Sequence, residues 1–283
     1  MTCHQVGREN GHDRCCDQII ASDERDQRMS ESQLSESRRF RPRALANVTI
    51  LAVALFACGV GPARADDCPP KRTTHVPDPG QPLNLDELKA QLRAYHQQGY
   101  DADILATASD ARDWIERRAT KATKPALVLD IDETSLSNWP TLLANDLGRI
   151  QDGSCARLPN GPCGFNAWVL RHRASPIAPT RTLFNTARTK GVSVFFITGR
   201  HEIQRGATIF NLHEAGYRGW TKLIMRADSD TKRTVQAYKT EARSKISALG
   251  FDIMANMGDQ SSDLDGGYAE CTFKLPNPFY FVR

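Results

Sequence analysis

From Ala126 to the end of the chain, short apolar runs alternate with helical stretches, and this alternation limits the fold more than any other feature. The runs are ALVLD (126–130), SVFFIT (193–198), KLIMR (222–226), DIMANMGD (252–259) and TFKLP (272–276). Between them the residue spacing predicts helices over about Pro179 to Lys190, Ile203 to Ala215 and Thr231 to Leu249. Near-continuous apolar strands separated by helices build a parallel sheet covered on both faces, a Rossmann-like α/β fold. In such sheets the active site lies outside the carboxyl ends of the strands. The residues just after each run are therefore the candidates for function.

Two helices are expected ahead of the first strand. In the first, Asn84 is the N-cap, Glu87 completes a capping box, and Leu85, Leu88, Leu92 and Tyr95 share one face. The second runs from Ile104 to Arg118, with Ile104, Leu105, Ala108, Ala111 and Ile115 inward, and GYDAD (99–103) is the turn between them. The rhythm breaks at about 138–178, where no strong strand occurs but Trp139, Phe165, Trp168 and many turn residues do. This reads as a small, mainly helical cap inserted over the strand ends of a domain covering 84–283.

The segment before that domain reads as an export leader. Arg38, Arg39, Arg41 and Arg43 precede an uncharged stretch from Ala44 to Gly61, and Ala63 and Ala65 supply an A-x-A pattern. Basic, apolar and small-residue regions in that order predict a signal peptide cleaved after Ala65 and a periplasmic or secreted product. A membrane anchor is one alternative. A lipoprotein is another, since LFAC ending at Cys58 resembles a lipobox. Residues 1–28 are polar and unneeded by a leader, which points to Met29 as the true start. Residues 66–83, with five prolines, form an extended lead-in.

The net charge of +4 is small and partly confined to the leader, so it gives no case for nucleic-acid binding. Four of the eight cysteines, Cys68, Cys155, Cys163 and Cys271, lie beyond Ala65. An even number in an exported chain suggests disulfides, Cys155 with Cys163 across a short turn-rich loop and Cys68 with Cys271. Free buried cysteines are the alternative. Zinc is disfavoured by the lack of a C-x-x-C pair or clustered histidines.

Read in order, the strand ends yield Asp130 and Asp132, then Thr198, Gly199 and Arg200, then Asp259 and Asp263, with Lys239 on the long helix. DIDETSLSN, FITGR, YKTEAR and GDQSSDL resemble the four motifs of the haloacid dehalogenase superfamily. Within it, the chain is similar to acid phosphatases related to the bacterial class B and class C enzymes and to plant vegetative storage proteins. FNAWV and the closing FKLPNPFY add to that likeness, which covers about residues 80–283. The resemblance implies a phosphoric monoester hydrolase in which Asp130 is the nucleophile that forms an aspartyl-phosphate.

The chemistry agrees. A phosphate monoester is anionic, so carboxylates can attack it only where cations offset the repulsion, which implies Mg²⁺ held by oxygen ligands. Asp132, two residues on in an extended chain, projects to the same side and is the expected acid/base, its backbone carbonyl a metal ligand. Asp259 is the expected side-chain metal ligand. Thr198, Gly199 and Lys239 are the expected phosphate-binding residues. Asp263 would bind through water or orient Lys239, and Arg200 would reach phosphate or the cap.

Simpler readings exist for each residue. Acids after a strand also cap helices, and Lys239 also fits a solvated face shared with Arg243. Trp139, Phe165 and Trp168 fit either the core of the insert or an aromatic surface for an apolar or nucleobase leaving group. Glu133 alternates away from the two aspartates, leaving cap hydrogen bonding or solvent exposure. Arg149, Arg157, Arg171, His172 and Arg173 make the insert basic, which suits small anionic substrates such as nucleoside monophosphates, the substrates of a 5′-nucleotidase. Oligomeric state is not legible. A phosphotransferase, a non-catalytic storage or binding protein and a receiver domain are the competing readings; the export signal, the insert and the second acid of D-x-D disfavour the last.

Overall fold

The computed structural model describes Cys68 and residues 83–282. The expected leader, Met29, Cys58, the cleavage after Ala65 and most of the lead-in lie outside the described residues. Among the described residues, no helix is long and apolar enough to cross a membrane.

The described residues open with α1 (Leu85–Gln98) and α2 (Tyr100–Arg118), then enter β1 (Pro125–Leu129). The insert contributes β2 (Leu136–Ser137), α3 (Trp139–Ala144), α4 (Phe165–Leu170) and β3 (Ser175–Pro176). There follow α5 (Ala178–Thr189), β4 (Ser193–His201), α6 (Arg205–Glu214), β5 (Lys222–Arg226), α7 (Val235–Ala248), β6 (Asp252–Gly258), α8 (Ser261–Leu264) and β7 (Cys271–Lys274). Five strands form one sheet in the order β5-β4-β1-β6-β7, every neighbouring pair parallel.

Strand alternation divides the core. Leu127, Leu129, Val194 and Phe196 face a cluster with Ala111 and Ile115 of α2, Leu183 and Phe184 of α5, and Ile209 and Leu212 of α6. Ala126, Val128, Phe195 and Ile197 face Tyr238, Ala242 and Ile246 of α7. β1 is thus buried on both faces, which explains its unbroken apolar run.

Four local expectations are corrected. α2 starts at Tyr100, so the turn after α1 is Gly99 alone. Leu105 points out, 54% exposed, because it lies a third of a turn from the stripe of Ile104, Ala108, Ala111 and Ile115. Leu85 and Leu88 of α1 are also exposed; only Leu92 and Tyr95 pack on the core. Asn84 does cap α1, accepting from the Asp86 N–H, but Glu87 makes no reciprocal bond among the described residues.

Both expected disulfides form, Cys155–Cys163 in the insert and Cys68–Cys271 at the edge strand β7. The latter spans 203 residues. Beside it Arg118 pairs with Glu270 through two nitrogens, and Cys271 is buried. Replacing both Cys68 and Cys271 by Ser is expected to lower the unfolding free energy by about 2–4 kcal/mol. Urea denaturation under oxidising conditions measures it.

Candidate active site

The ends of β1, β4 and β6 supply the site. Asp130 follows β1 directly, and its N–H donates to the Met257 carbonyl at 3.0 Å, so the strand still holds it. The chain then folds back sharply. The N–H groups of Ser135 and Leu136 both donate to the Ile131 carbonyl at 2.8 Å, and Glu133 takes a left-handed φ of 54°. The Ser135 hydroxyl closes the turn on the Asp130 carbonyl at 2.7 Å. Asp130, Asp132, Gly199, Arg200, Lys239 and Asp259 line one cleft of about 420 Å³, and Asp263 reaches it from α8.

Lys239 sits at the centre. Its ammonium donates to Asp130 Oδ1 and, at 2.7 Å, to Asp263 Oδ1, all three groups being buried. Burial alone would pull the ammonium down, but the two carboxylates outweigh it and hold Lys239 above its ordinary value. Asp263 is fixed in turn by the Gln260 N–H at 2.9 Å, while Arg243, fully buried, grips the Asp263 carbonyl at 2.5 Å.

Acids crowd one another in the site. Burial, with Asp263 adding, pushes the Asp259 carboxyl up to about 6, and burial with the neighbouring acids also raises Asp130. Carboxylate oxygens of Asp130, Asp259 and Asp263 all lie within 4.8 Å of one another. Asp259 is oriented by the Thr134 hydroxyl at 3.1 Å, Gln260 at 2.7 Å and Asn277 at 2.6 Å, while Lys274 holds its backbone carbonyl. Buried, crowded, pre-oriented oxygen donors fit a hard divalent cation.

Several residues sit otherwise than expected. Arg200 is not turned to the cap: it clasps Asp132 through Nη2 at 2.7 Å and Nε at 3.1 and 3.2 Å. Burial pushes Asp132 upward, but Arg200 and Asn138 outweigh it and hold the carboxyl below its ordinary value. Thr198 is fully buried, and its oxygen accepts the Arg200 N–H at 3.2 Å, so Gly199 rather than Thr198 lines the cleft. Of the two readings of Glu133, hydrogen bonding to the insert holds and solvent exposure does not. Glu133 is fully buried, accepts the Asn138 N–H at 2.5 Å, and burial pushes its carboxyl up to about 8.

Of the three aromatics, Phe165 alone lines the cleft. Trp139 stacks on His96 at 3.6 Å and packs near Phe279, and Trp168 is buried, donating to Asn138. Both are held by partners inside the fold. The other aromatic lining the cleft is Tyr280, and Arg149 lies over both rings at 5.1 and 5.6 Å. Asn138, Gln260, Asn277 and Tyr280 were missed as site residues. All four sit inside the quoted motifs DIDETSLSN, GDQSSDL and FKLPNPFY, which is the signal that could have found them.

A parallel sheet with buried carboxylates at its central strand ends, and a buried lysine between them, fits a haloacid dehalogenase-type phosphohydrolase. The model of the HAD superfamily, subfamily IIIB (acid phosphatase), matches residues 82–283, and the chain belongs to that family. It is 31% identical over 220 residues to acid phosphatase 1 of Solanum lycopersicum, covering 77% of this chain and 75% of that one. The stem 28 kDa glycoprotein of Glycine max is 35% identical over 200 residues, 69% of this chain and 75% of its own. The fold is shared with the class C acid phosphatase from Bacillus anthracis, at a TM-score of 0.55 and 21% identity over 70% of this chain and 87% of that one. The chain is therefore a phosphoric monoester hydrolase by family.

Proposed function

We propose that the chain is an exported, Mg²⁺-dependent acid phosphatase that hydrolyses small phosphate monoesters through an aspartyl-phosphate on Asp130. The observation that carries the reading is the buried cluster of Asp130, Asp259, Asp263 and Lys239 in one cleft. A carboxylate oxygen of Asp130 forms the bond to phosphorus as the ester P–O bond breaks. Asp132 hands to the departing alkoxide the proton that it gains from water in the second half of the preceding turnover. In the second half Asp132, as the carboxylate that Arg200 holds, takes a proton from water. The water oxygen attacks phosphorus, inorganic phosphate leaves and Asp130 is regenerated.

Lys239 and the Gly199 segment face the phosphoryl group, and Thr198, buried off the cleft, steadies that segment by accepting the Arg200 N–H. Mg²⁺ held by Asp130, Asp259 and the Asp132 carbonyl would neutralise phosphoryl charge. Asp263 serves by fixing Lys239. Phe165, Tyr280 and Arg149 give the leaving group a rim both aromatic and cationic, which suits nucleoside monophosphates. The two disulfides support an oxidising compartment and, with the leader, periplasmic or secreted export.

EDTA is expected to lower p-nitrophenyl phosphate turnover by at least about a hundredfold, with recovery on adding Mg²⁺. Persistent turnover without a divalent cation would overturn the metal reading. Two of the chain's relatives are named as vegetative storage proteins; a storage role here predicts no metal-dependent turnover, so the same assay separates the two.

A further inference from the structure

Asn138 occupies the N-cap of α3, a position where an asparagine side chain ordinarily accepts a backbone N–H of the first turn, yet its side chain makes no such bond. Its amide is used elsewhere. Nδ2 donates to Asp132 Oδ1 at 3.0 Å, and Oδ1 accepts the indole N–H of Trp168 at 2.9 Å. Asn138 and Trp168 are 2% and 4% exposed, so water does not replace either bond cheaply. The backbone is pinned as well, since the Asn138 N–H donates to buried Glu133.

The chemistry of the indole decides which way the amide faces. Trp Nε1–H can only donate, so it must meet the amide oxygen, and the NH₂ group is thereby turned to Asp132. Asp132 Oδ1 then receives Asn138 Nδ2 together with Arg200 Nη2 at 2.7 Å and Nε at 3.2 Å. Among the described residues, Oδ2 has the single contact from Arg200 Nε at 3.1 Å. One oxygen is anchored and the other is left largely to the cleft.

We infer that Asn138 and Trp168 are positioning residues, a relay from the cap insert that fixes the carboxylate of Asp132 for proton transfer. The inference rests on reading Asp132 as the acid/base. It assigns a role in the reaction to a tryptophan that does not line the cleft, and it ties the seating of α4 to the geometry of the acid.

The test compares kcat/KM for p-nitrophenyl phosphate, whose leaving group departs without help, with that for glycerol phosphate, whose alkoxide needs a proton. Trp168→Phe keeps a ring and removes the N–H. It is expected to lower kcat/KM about tenfold for glycerol phosphate and at most about twofold for p-nitrophenyl phosphate. Asn138→Asp, nearly isosteric, sets a carboxylate oxygen against Asp132 and is expected to widen the gap further. Equal losses on both substrates in the two variants, or no loss, would overturn the inference, because a merely structural contact has no leaving-group dependence. Should Trp168→Phe fail to fold, the Asn138→Asp ratio alone decides. Asp132→Asn, run alongside, separates the levels: if it discriminates between the substrates and the relay variants do not, the relay falls and the acid/base reading stands. If Asp132→Asn itself does not discriminate, both fall.

Discussion

Asp130→Asn is expected to reduce kcat by at least about ten-thousandfold while leaving the fold intact. An amide oxygen is a poor nucleophile towards phosphorus, and no other carboxylate sits on the same strand end with the same backbone hold from Met257. The replacement keeps the size of the side chain and an acceptor for Lys239, whose second bond to Asp263 is untouched. It also removes one charge from a cluster already crowded with acids. Thermal unfolding should therefore occur at or above the temperature of the parent chain. Circular dichroism melting beside p-nitrophenyl phosphate kinetics measures both effects.

Lys239→Met is expected to damage both stability and activity. Removing the ammonium leaves Asp130 and Asp263 buried without their shared cation, and breaking a buried ion pair from one side costs about 3–5 kcal/mol. Because the carboxylates hold Lys239 above its ordinary value, the ammonium stays charged across the working pH range, and its loss is felt throughout. Urea denaturation should show the lower midpoint. Residual folded enzyme should lose about a hundredfold or more in kcat, since the phosphoryl oxygens lose a charged donor. A variant as stable as the parent would show that Lys239 does not offset the acids.

The main site was legible because the chemistry sits where a parallel sheet must put it. Asp130, Gly199 and Asp259 each come directly at or after an apolar run, so finding the runs found the residues. Lys239 was harder, being a helix residue with a charged neighbour four positions on. The structure shows Lys239 and Arg243 both turned inward and bonded around Asp263. For Glu133, cap hydrogen bonding and solvent exposure stayed open together because alternation holds only while the chain stays extended; the left-handed turn after Asp132 sends it into the interior, where it accepts the Asn138 N–H. The Asn138–Trp168 bond joins residues 30 positions apart across the insert, and no local periodicity reports such a contact. The same holds for Asn277 on Asp259, brought together from the last strand's exit. Leu85 and Leu88 show the converse, an apolar face written in the sequence that the described residues leave exposed.

The most direct test of the covalent reading is to quench a reaction with p-nitrophenyl phosphate in acid and map the protein by mass spectrometry. The account predicts one phosphoryl group on the peptide carrying DIDET, located at Asp130, and none in Asp130→Asn. A phosphoryl group on any other residue, or full turnover by Asp130→Asn, would contradict it.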